Sequence, residues 1–254
     1  MSRIIAVTNQ KGGIGKSTTA QALGAGLSLK GFKVLFADLD PQGNLSYSTQ
    51  ADPTKPTAYD LLTKRAGAAE TIQPIERAHI IPAAAALSGA DMEINGTGKE
   101  YRLREALEPI KKKYDFIILD TPPALGTLTV NALTAADAVI IPAQADIYSL
   151  QGIGQLAETI QAVKTYCNRS LNIGGILLTR HSSRTILARD MVELIEQTAA
   201  QIGTKVYKTI IREGIAVKEA QANRQSLFDY APNSKPAIDY AAFIDEFLEG
   251  SGKA

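Results

Sequence analysis

Cysteine is almost missing from this chain: Cys167 is the only one in 254 residues. That excludes an intramolecular disulfide and any cysteine-rich zinc or iron–sulfur site built within one chain. Cys167 itself reads as a small buried thiol. Long apolar runs are lacking too, and none approaches the ~18 residues a transmembrane helix would need. Met1-Ser2-Arg3 leads straight into Ile4-Ile5-Ala6-Val7, too short for a signal-peptide core and without a small-residue cleavage site. A cytoplasmic protein is expected. Internal repeats and low-complexity linkers are absent, and 45% hydrophobic with 21% charged residues supports one large α/β domain over 1–254. There is also little excess charge of either sign, since the formal net charge is +1.

The charge is unevenly spread. Residues 164–224 hold ten Lys or Arg against five acids, whereas the remainder holds 17 against 21, so the back third carries the positive field. Apolar runs alternate with amphipathic stretches along the chain, the pattern of strand–helix units around a mostly parallel sheet with helices on both faces. Strands are expected at 4–8, 33–38, 116–120, 138–142, 173–179 and 205–210. Phe116-Ile117-Ile118-Leu119 is continuous rather than alternating, which suits a strand covered on both sides. Ala20, Leu23, Gly24 and Leu27 share one face of a first helix, and Leu187, Met191, Leu194, Ile195, Thr198 and Ile202 one face of a later one. Residues 52–98 show turn chemistry, a short helix near Tyr59–Thr63 and the Ala83–Ala86 run.

Lys11-Gly12-Gly13-Ile14-Gly15-Lys16-Ser17-Thr18 follows the first strand and opens the first helix. A P-loop needs a glycine, four variable residues, then Gly-Lys-Ser/Thr, so that backbone N–H groups surround phosphates and the lysine neutralises them. Gly15, Lys16 and Ser17 fit, but Gln10 holds the place of the first glycine. Gly12 and Gly13 let the backbone curl where a side chain would meet phosphate, and the helix N-terminus faces the anion. A plain glycine-rich turn is the bland alternative. A dinucleotide fingerprint is the sharper one, because Gly13-Ile14-Gly15 begins it and Asp38 follows near the ~20-residue spacing of its ribose-binding acid. Thr18 occupies its third glycine position, however, and Lys16-Ser17 is what a magnesium triphosphate requires: an ammonium for the β/γ oxygens and a hydroxyl for the metal.

These residues resemble the deviant Walker A motif of the ParA/MinD ATPases, which carries a lysine at the place of Lys11 as well as Lys16. Ala37-Asp38-Leu39-Asp40-Pro41-Gln42-Gly43-Asn44 resembles the second motif of the partition branch, and Ile118-Leu119-Asp120-Thr121-Pro122-Pro123 its Walker B. The likeness continues more loosely to about Tyr230. It implies a P-loop NTPase fold and a catalytic set of Lys11, Lys16, Asp40 and Asp120. Lys16 would bind the β and γ phosphates. Ser17 and Asp120 would hold Mg²⁺, Asp120 through water, with Asp40 a further water-mediated contact. Asp40 matches the family's water-orienting aspartate, against a reading as a turn former in Asp-Pro-Gln-Gly; Asp38 is its structural partner. Lys11, a solvated turn lysine in any unknown sequence, would cross a dimer interface to the partner's ATP much as an arginine finger does.

Pro142-Ala143-Gln144-Ala145-Asp146 through Gly152 looks like the family's γ-phosphate-sensing loop, with Asp146 where Glu is common. Adenine contacts would come from Arg180, Ile211 and Arg212, although the family often has Pro at the place of Ile211. Nonspecific double-stranded DNA would meet Arg184, Arg189, Arg212, Lys218 and Arg224; scattered surface charge is the alternative. A membrane-binding MinD-like chain would end in a basic amphipathic helix. The stripe Tyr240, Phe243, Ile244, Phe247 and Leu248 is instead flanked by Asp239, Asp245, Glu246 and Glu249, and is expected to pack on the core. A nitrogenase-reductase-like carrier needs cluster cysteines, and a nonhydrolysing regulator is the last rival. The resemblance implies ATP and Mg²⁺ as cofactors, an ATP-dependent homodimer on the nucleoid and a ParB-like centromere-binding partner. With no sequence ahead of the first strand, no fused helix-turn-helix domain is expected.

Overall fold

The computed structural model describes residues 2–181 and 186–250, with the side chains of 186–188 left out of the description. Among the described residues seven strands run β1 Arg3–Val7, β2 Val34–Asp38, β3 Gln73–Ile75, β4 Ala78–Ile81, β5 Phe116–Asp120, β6 Ala138–Ala143 and β7 Asn172–Leu178. They form one sheet in the order β3-β4-β2-β5-β1-β6-β7, parallel throughout except for β3, an antiparallel edge strand. Between the first strands lie α1 Lys16–Leu29, α2 Asn44–Ser48, α3 Ala58–Leu62 and α4 Ala68–Thr71. The middle of the chain adds α5 Ala90–Glu93, α6 Arg102–Leu107, α7 Thr127–Ala135 and α8 Ile147–Tyr166, and the last third adds α9 Ile186–Gln201, α10 Ile215–Ala222, α11 Leu227–Tyr230 and α12 Lys235–Gly250.

Side chains of a strand point alternately to the two faces, and here both faces are covered. Ile4, Ala6, Leu35, Ala37, Ile117, Leu119, Val139 and Ile141 pack with helices α3, α6, α7, α8 and α9. Their neighbours Ile5, Val7, Val34, Phe36, Phe116, Ile118 and Ile140 pack with α1, α10, α11 and α12. That is why the apolar runs are continuous. Gly24 allows α1 to lie against the sheet: a Cβ there would stand 2.2 Å from the Phe36 ring. The predicted C-terminal stripe is buried as expected, with Tyr240 2%, Phe243 0%, Ile244 1%, Phe247 5% and Leu248 6% exposed.

Five of the six expected strands are present, and the sixth is corrected. Residues 205–210 run beside β7 but form a single isolated bridge, Val206 to Ile176; the next bridge, Arg212 to His181, lies beyond both segments. The reason is a competing acceptor: the Glu246 carboxylate of α12 takes the amides of Lys208 (2.8 Å) and Thr209 (2.9 Å), pulling the segment off the sheet. Strands β3 and β4 carry little sequence signal because each is short and Pro74 interrupts the first. The helix expected near Tyr59 is α3, started by Asp60, whose carboxylate accepts from the Thr57 amide at 2.8 Å. On α9, Ile195 is buried but Leu194 is 37% exposed, and the side chain of Leu187 is outside the described residues. Cys167 is half-buried, not fully buried. Among the described residues, no helix is long and apolar enough to cross a membrane.

Candidate phosphate-binding site

β1 delivers the chain at Val7 to the carboxyl ends of the strands, where an open α/β sheet binds its ligands. Asn9 fixes the turn that follows: its amide donates to the Pro142 carbonyl (2.7 Å) and its side-chain oxygen accepts from the Lys11 N–H (3.2 Å). Gly13 (φ 74°) and Gly15 (φ 95°) are left-handed, a conformation that disfavours any side chain. A Cβ at Gly12 or Gly13 would meet nothing within 4 Å, so the space above the loop is open. The loop is tied from below, since the Thr179 hydroxyl donates to the Ile14 carbonyl (2.7 Å) and the Arg180 guanidinium to the Gly13 carbonyl (2.8 Å). Helix α1 then begins at Lys16 with no acidic residue in its first turn and no side-chain cap. Its first amides point at the loop, an arrangement suited to an anion.

The cavity over this loop measures about 560 Å³. Of the predicted nucleotide residues, Gly12, Gly13, Gly15, Lys16, Ser17, Thr18, Arg180, Ile211 and Arg212 line it, together with Asp40. Lys11, Ile14 and Asp120 do not. Ile14 is fully buried, so it can offer only backbone, and Asp120 lies at 0% exposure behind the loop. Ile211 also has a reason not to be proline: its amide donates to the Leu178 carbonyl (2.8 Å), a bond proline cannot make. Sequence reasoning misses the wall built by Gly214, which caps α10, by Val217 and Gln221 on one face of that helix, and by Tyr47 of α2. Gln221 donates to the Thr18 hydroxyl at 3.0 Å.

Beneath the cavity sits a charged cluster. Lys16, 6% exposed, donates to the Lys11 carbonyl (2.8 Å). Burial lowers its pKa, while the charges of Asp120 and then Asp40 raise it. Asp38 and Asp120 face each other across β2 and β5. Asp38 accepts from the Ser46 amide (2.8 Å), the Ser46 hydroxyl (2.7 Å) and the Asp40 amide (3.1 Å), the structural role expected of it. Burial nevertheless pushes its pKa up to about 6. Asp120 is the extreme: burial first, then the charge of Asp38, hold its pKa well above the ordinary carboxylate range, with the Ser17 hydroxyl drawing it down. Neither of its oxygens has a partner within hydrogen-bond geometry. Asp40, 6% exposed, accepts from the Gln42 amide (3.0 Å), so it forms the turn and also reaches the cavity.

This donor set fits magnesium. Among the described residues no group of three His, Cys, Asp or Glu could hold a metal by itself. Mg²⁺ does not need one, because it is held by one or two carboxylates plus phosphate oxygens and waters. A buried, unpartnered Asp120 near the Ser17 hydroxyl supplies that kind of site.

The flanking charges are mostly engaged. Lys11 points away from the cavity and donates to Asp146 Oδ2 (2.5 Å) and Gln144 Oε1 (3.1 Å). Asp146 also caps α8 by accepting from the Ser149 amide (2.9 Å). Of the predicted DNA residues, Arg184 lies outside the described residues and Arg189 is exposed on α9. Arg212 donates through Nε (2.8 Å) and Nη2 (2.6 Å) to the two carboxylate oxygens of Asp239, so its charge is already matched. Lys218 lines the phosphate cavity, and Arg224 stacks 4.1 Å above the Tyr47 ring.

Likeness to known proteins bears on the family and the fold. The AAA_31 family, described as AAA domain, matches residues 2–173. The chain is 41% identical over 251 residues to the sporulation initiation inhibitor protein Soj of Bacillus subtilis, covering 97% of this chain and 98% of Soj. It is 37% identical over 254 residues to the chromosome partitioning protein ParA of Myxococcus xanthus, covering 98% of this chain and 89% of that one. Among solved structures, cobyrinic acid a,c-diamide synthase from Mycobacterium smegmatis with bound ADP and magnesium superposes with a TM-score of 0.85 at 34% identity, over 99% of this chain and 96% of the synthase.

Proposed function

The chain belongs to the ParA/Soj family of partitioning ATPases, and we propose that it binds Mg²⁺–ATP over Lys11–Thr18, dimerises with it on nonspecific DNA, and hydrolyses it slowly. A ParB-like centromere-binding protein would stimulate hydrolysis and release, moving a plasmid, chromosome or mobile element across the nucleoid in the cytoplasm. The observation that carries the nucleotide reading is the buried, unpartnered Asp120 beside Lys16 and Ser17 under an open loop of backbone amides. Lys16 exchanges its bond to the Lys11 carbonyl for the β and γ phosphates. Ser17 and, through water, Asp120 would hold the metal, which would supply charge neutralisation at those phosphates. Asp40, at the cavity wall, orients the attacking water and accepts its proton. Arg180, Ile211 and Arg212 flank the base, and the whole of 1–254 works as one ATPase unit.

Lys11 is the dimer switch. Its side chain leaves its own cavity and reaches the partner's phosphates once Asp146 and Gln144 release it, so dimerisation and ATP occupancy depend on each other. The test is Lys11→Ala sized by gel filtration with ATP: ATP binding is retained at reduced affinity and the dimer is lost. A wild-type dimer would refute the reading.

A further inference from the structure

We propose that Thr179 and Arg180, just past the end of β7, are positioning residues that aim the amides of the phosphate loop at its ligand; this rests on the reading of that loop as a phosphate site. Among the described residues, no backbone N–H from Gly12 to Thr18 donates to a protein acceptor. Such a run of donors is unusual, because backbone amides are nearly all paired. Something must aim them together. A glycine-rich loop does not do so by itself, since glycine visits left- and right-handed backbone about equally.

The aim comes from the carbonyls. Across a trans peptide the C=O and the following N–H point in opposite directions. The Thr179 hydroxyl holds the Ile14 carbonyl (2.7 Å) and Arg180 Nη1 holds the Gly13 carbonyl (2.8 Å). Thr179 has one hydroxyl proton, and at 2.7 Å against 3.3 Å to the Ala143 carbonyl it goes to Ile14. With both carbonyls drawn to the β7 side, the amides of Ile14 and Gly15 are turned the other way, where no protein acceptor meets them. Gly13 (φ 74°) and Gly15 (φ 95°) flank Ile14 in the left-handed conformation, an alternation that lets successive amides converge on one anion.

Arg180 is itself left-handed (φ 51°), a strained state for a residue with a side chain. Its neighbours fix it there: the Thr179 amide donates to the Ala143 carbonyl (2.8 Å) and the His181 amide to the Ile211 carbonyl (3.0 Å). The guanidinium is divided. Nε (3.3 Å) and Nη2 (2.8 Å) donate to Glu213 Oε1, which leaves Nη1 for the loop. Glu213 matches the charge, so Arg180 serves a phosphate through the amides it aims rather than as a free cation. This role goes beyond flanking the base.

The experiment measures binding of Mg²⁺–ATP and Mg²⁺–tripolyphosphate by calorimetry to wild type, Arg180→Ala, Arg180→Lys, Thr179→Val and Thr179→Ser. The expected result is that Arg180→Ala and Thr179→Val each weaken both ligands about tenfold, the lower end for one hydrogen bond to a charged group. Arg180→Lys and Thr179→Ser keep a donor for the same carbonyl and should recover most of the loss. A contact to the base would instead weaken ATP alone. Wild-type affinities in Arg180→Ala, a loss confined to ATP, or a Thr179→Ser as weak as Thr179→Val overturns the clamp and leaves phosphate binding standing. A wild type that binds neither ligand overturns the phosphate reading beneath it. Thr179→Val strands the carbonyl of the fully buried Ile14, so it is the variant at risk of unfolding. Arg180→Ala removes a side chain that is 43% exposed, and its affinities are readable whatever Thr179→Val does to stability.

Discussion

The acidic cluster should make the nucleotide-free, metal-free protein more stable as pH falls from neutrality, opposite to the usual acid behaviour. Asp38 has its pKa raised from 3.8 to about 6 by burial. An acid whose folded-state pKa lies above its unfolded value stabilises the fold fully below the unfolded value, and that contribution is lost as pH rises through the folded one. Two pKa units at ~1.36 kcal/mol each give a cost of about 3 kcal/mol above pH 7. Roughly 1 kcal/mol of it returns between pH 7.5 and 5.5 from Asp38 alone. Asp120, shifted in the same direction by burial and by Asp38, adds to this. Partnered carboxylates such as Asp91 and Asp146, whose pKa values are lowered, lose their contribution only below about pH 4, so they do not oppose the trend in this window.

The assay is urea unfolding in EDTA at pH 7.5 and 5.5, with wild type and Asp120→Asn. Wild type should gain about 1–2 kcal/mol on acidification. Asp120→Asn should show a flatter profile, because it removes one buried charge and the repulsion on the other. Its absolute gain at pH 7.5 is reduced by a second effect, since Lys16 loses the first of its two favourable charges. The pH slope is therefore the cleaner observable. Mg²⁺–ATP should stabilise wild type more at pH 7.5 than at 5.5, because a metal-binding carboxylate must be ionised. A wild type that weakens steadily from pH 7.5 to 5.5, or an Asp120→Asn variant with the wild-type slope, would refute the reasoning.

Two further outcomes follow from the flanking charges. Asp146→Asn keeps the helix cap, since Asn caps as well as Asp, but removes the anion that holds Lys11; at about 1 kcal/mol for a partly exposed pair, ATP-dependent dimerisation should tighten roughly fivefold by analytical ultracentrifugation, and unchanged affinity would sink the latch. Arg189→Ala with Lys218→Ala should weaken retention on nonspecific duplex DNA and lower the salt slope by about 1 for each phosphate no longer neutralised, with ATP affinity unchanged for Arg189→Ala; equal retention at matched low salt would remove these residues from the DNA surface.

What was legible in the sequence was local or periodic. Lys11–Thr18 is a contiguous loop between a strand and a helix, and Asp120 ends an unbroken apolar run, so a sheet position follows from the pattern alone. What was not legible depended on distant partners. Residues 205–210 have strand composition, yet Glu246, far along the chain, takes two of their amides. The spacing of Val217 and Gln221 marks a helix face but does not say that the face closes the cavity. Charge counting found the basic back third without revealing that Asp239 engages Arg212 or that Lys218 lines the cavity over the loop.

The loop after β6 shows how one substitution can keep an interaction while changing its balance. The resemblance leads one to expect Glu where Asp146 stands, and a side chain shorter by one methylene should lose reach. Here it does not, because the two loops are fastened together: the Asn9 side-chain amide donates to the Pro142 carbonyl, and a Cβ on Gly152 of α8 would come within 3.1 Å of the Asn9 side-chain oxygen. That close approach brings Lys11 to the first turn of α8, where the shorter carboxylate can cap the helix through Ser149 and still accept from the lysine. The two bonds use different oxygens of Asp146, Oδ1 for the cap and Oδ2 for Lys11. Releasing the lysine would therefore leave the cap in place, with no need to unwind the helix that Asp146 caps.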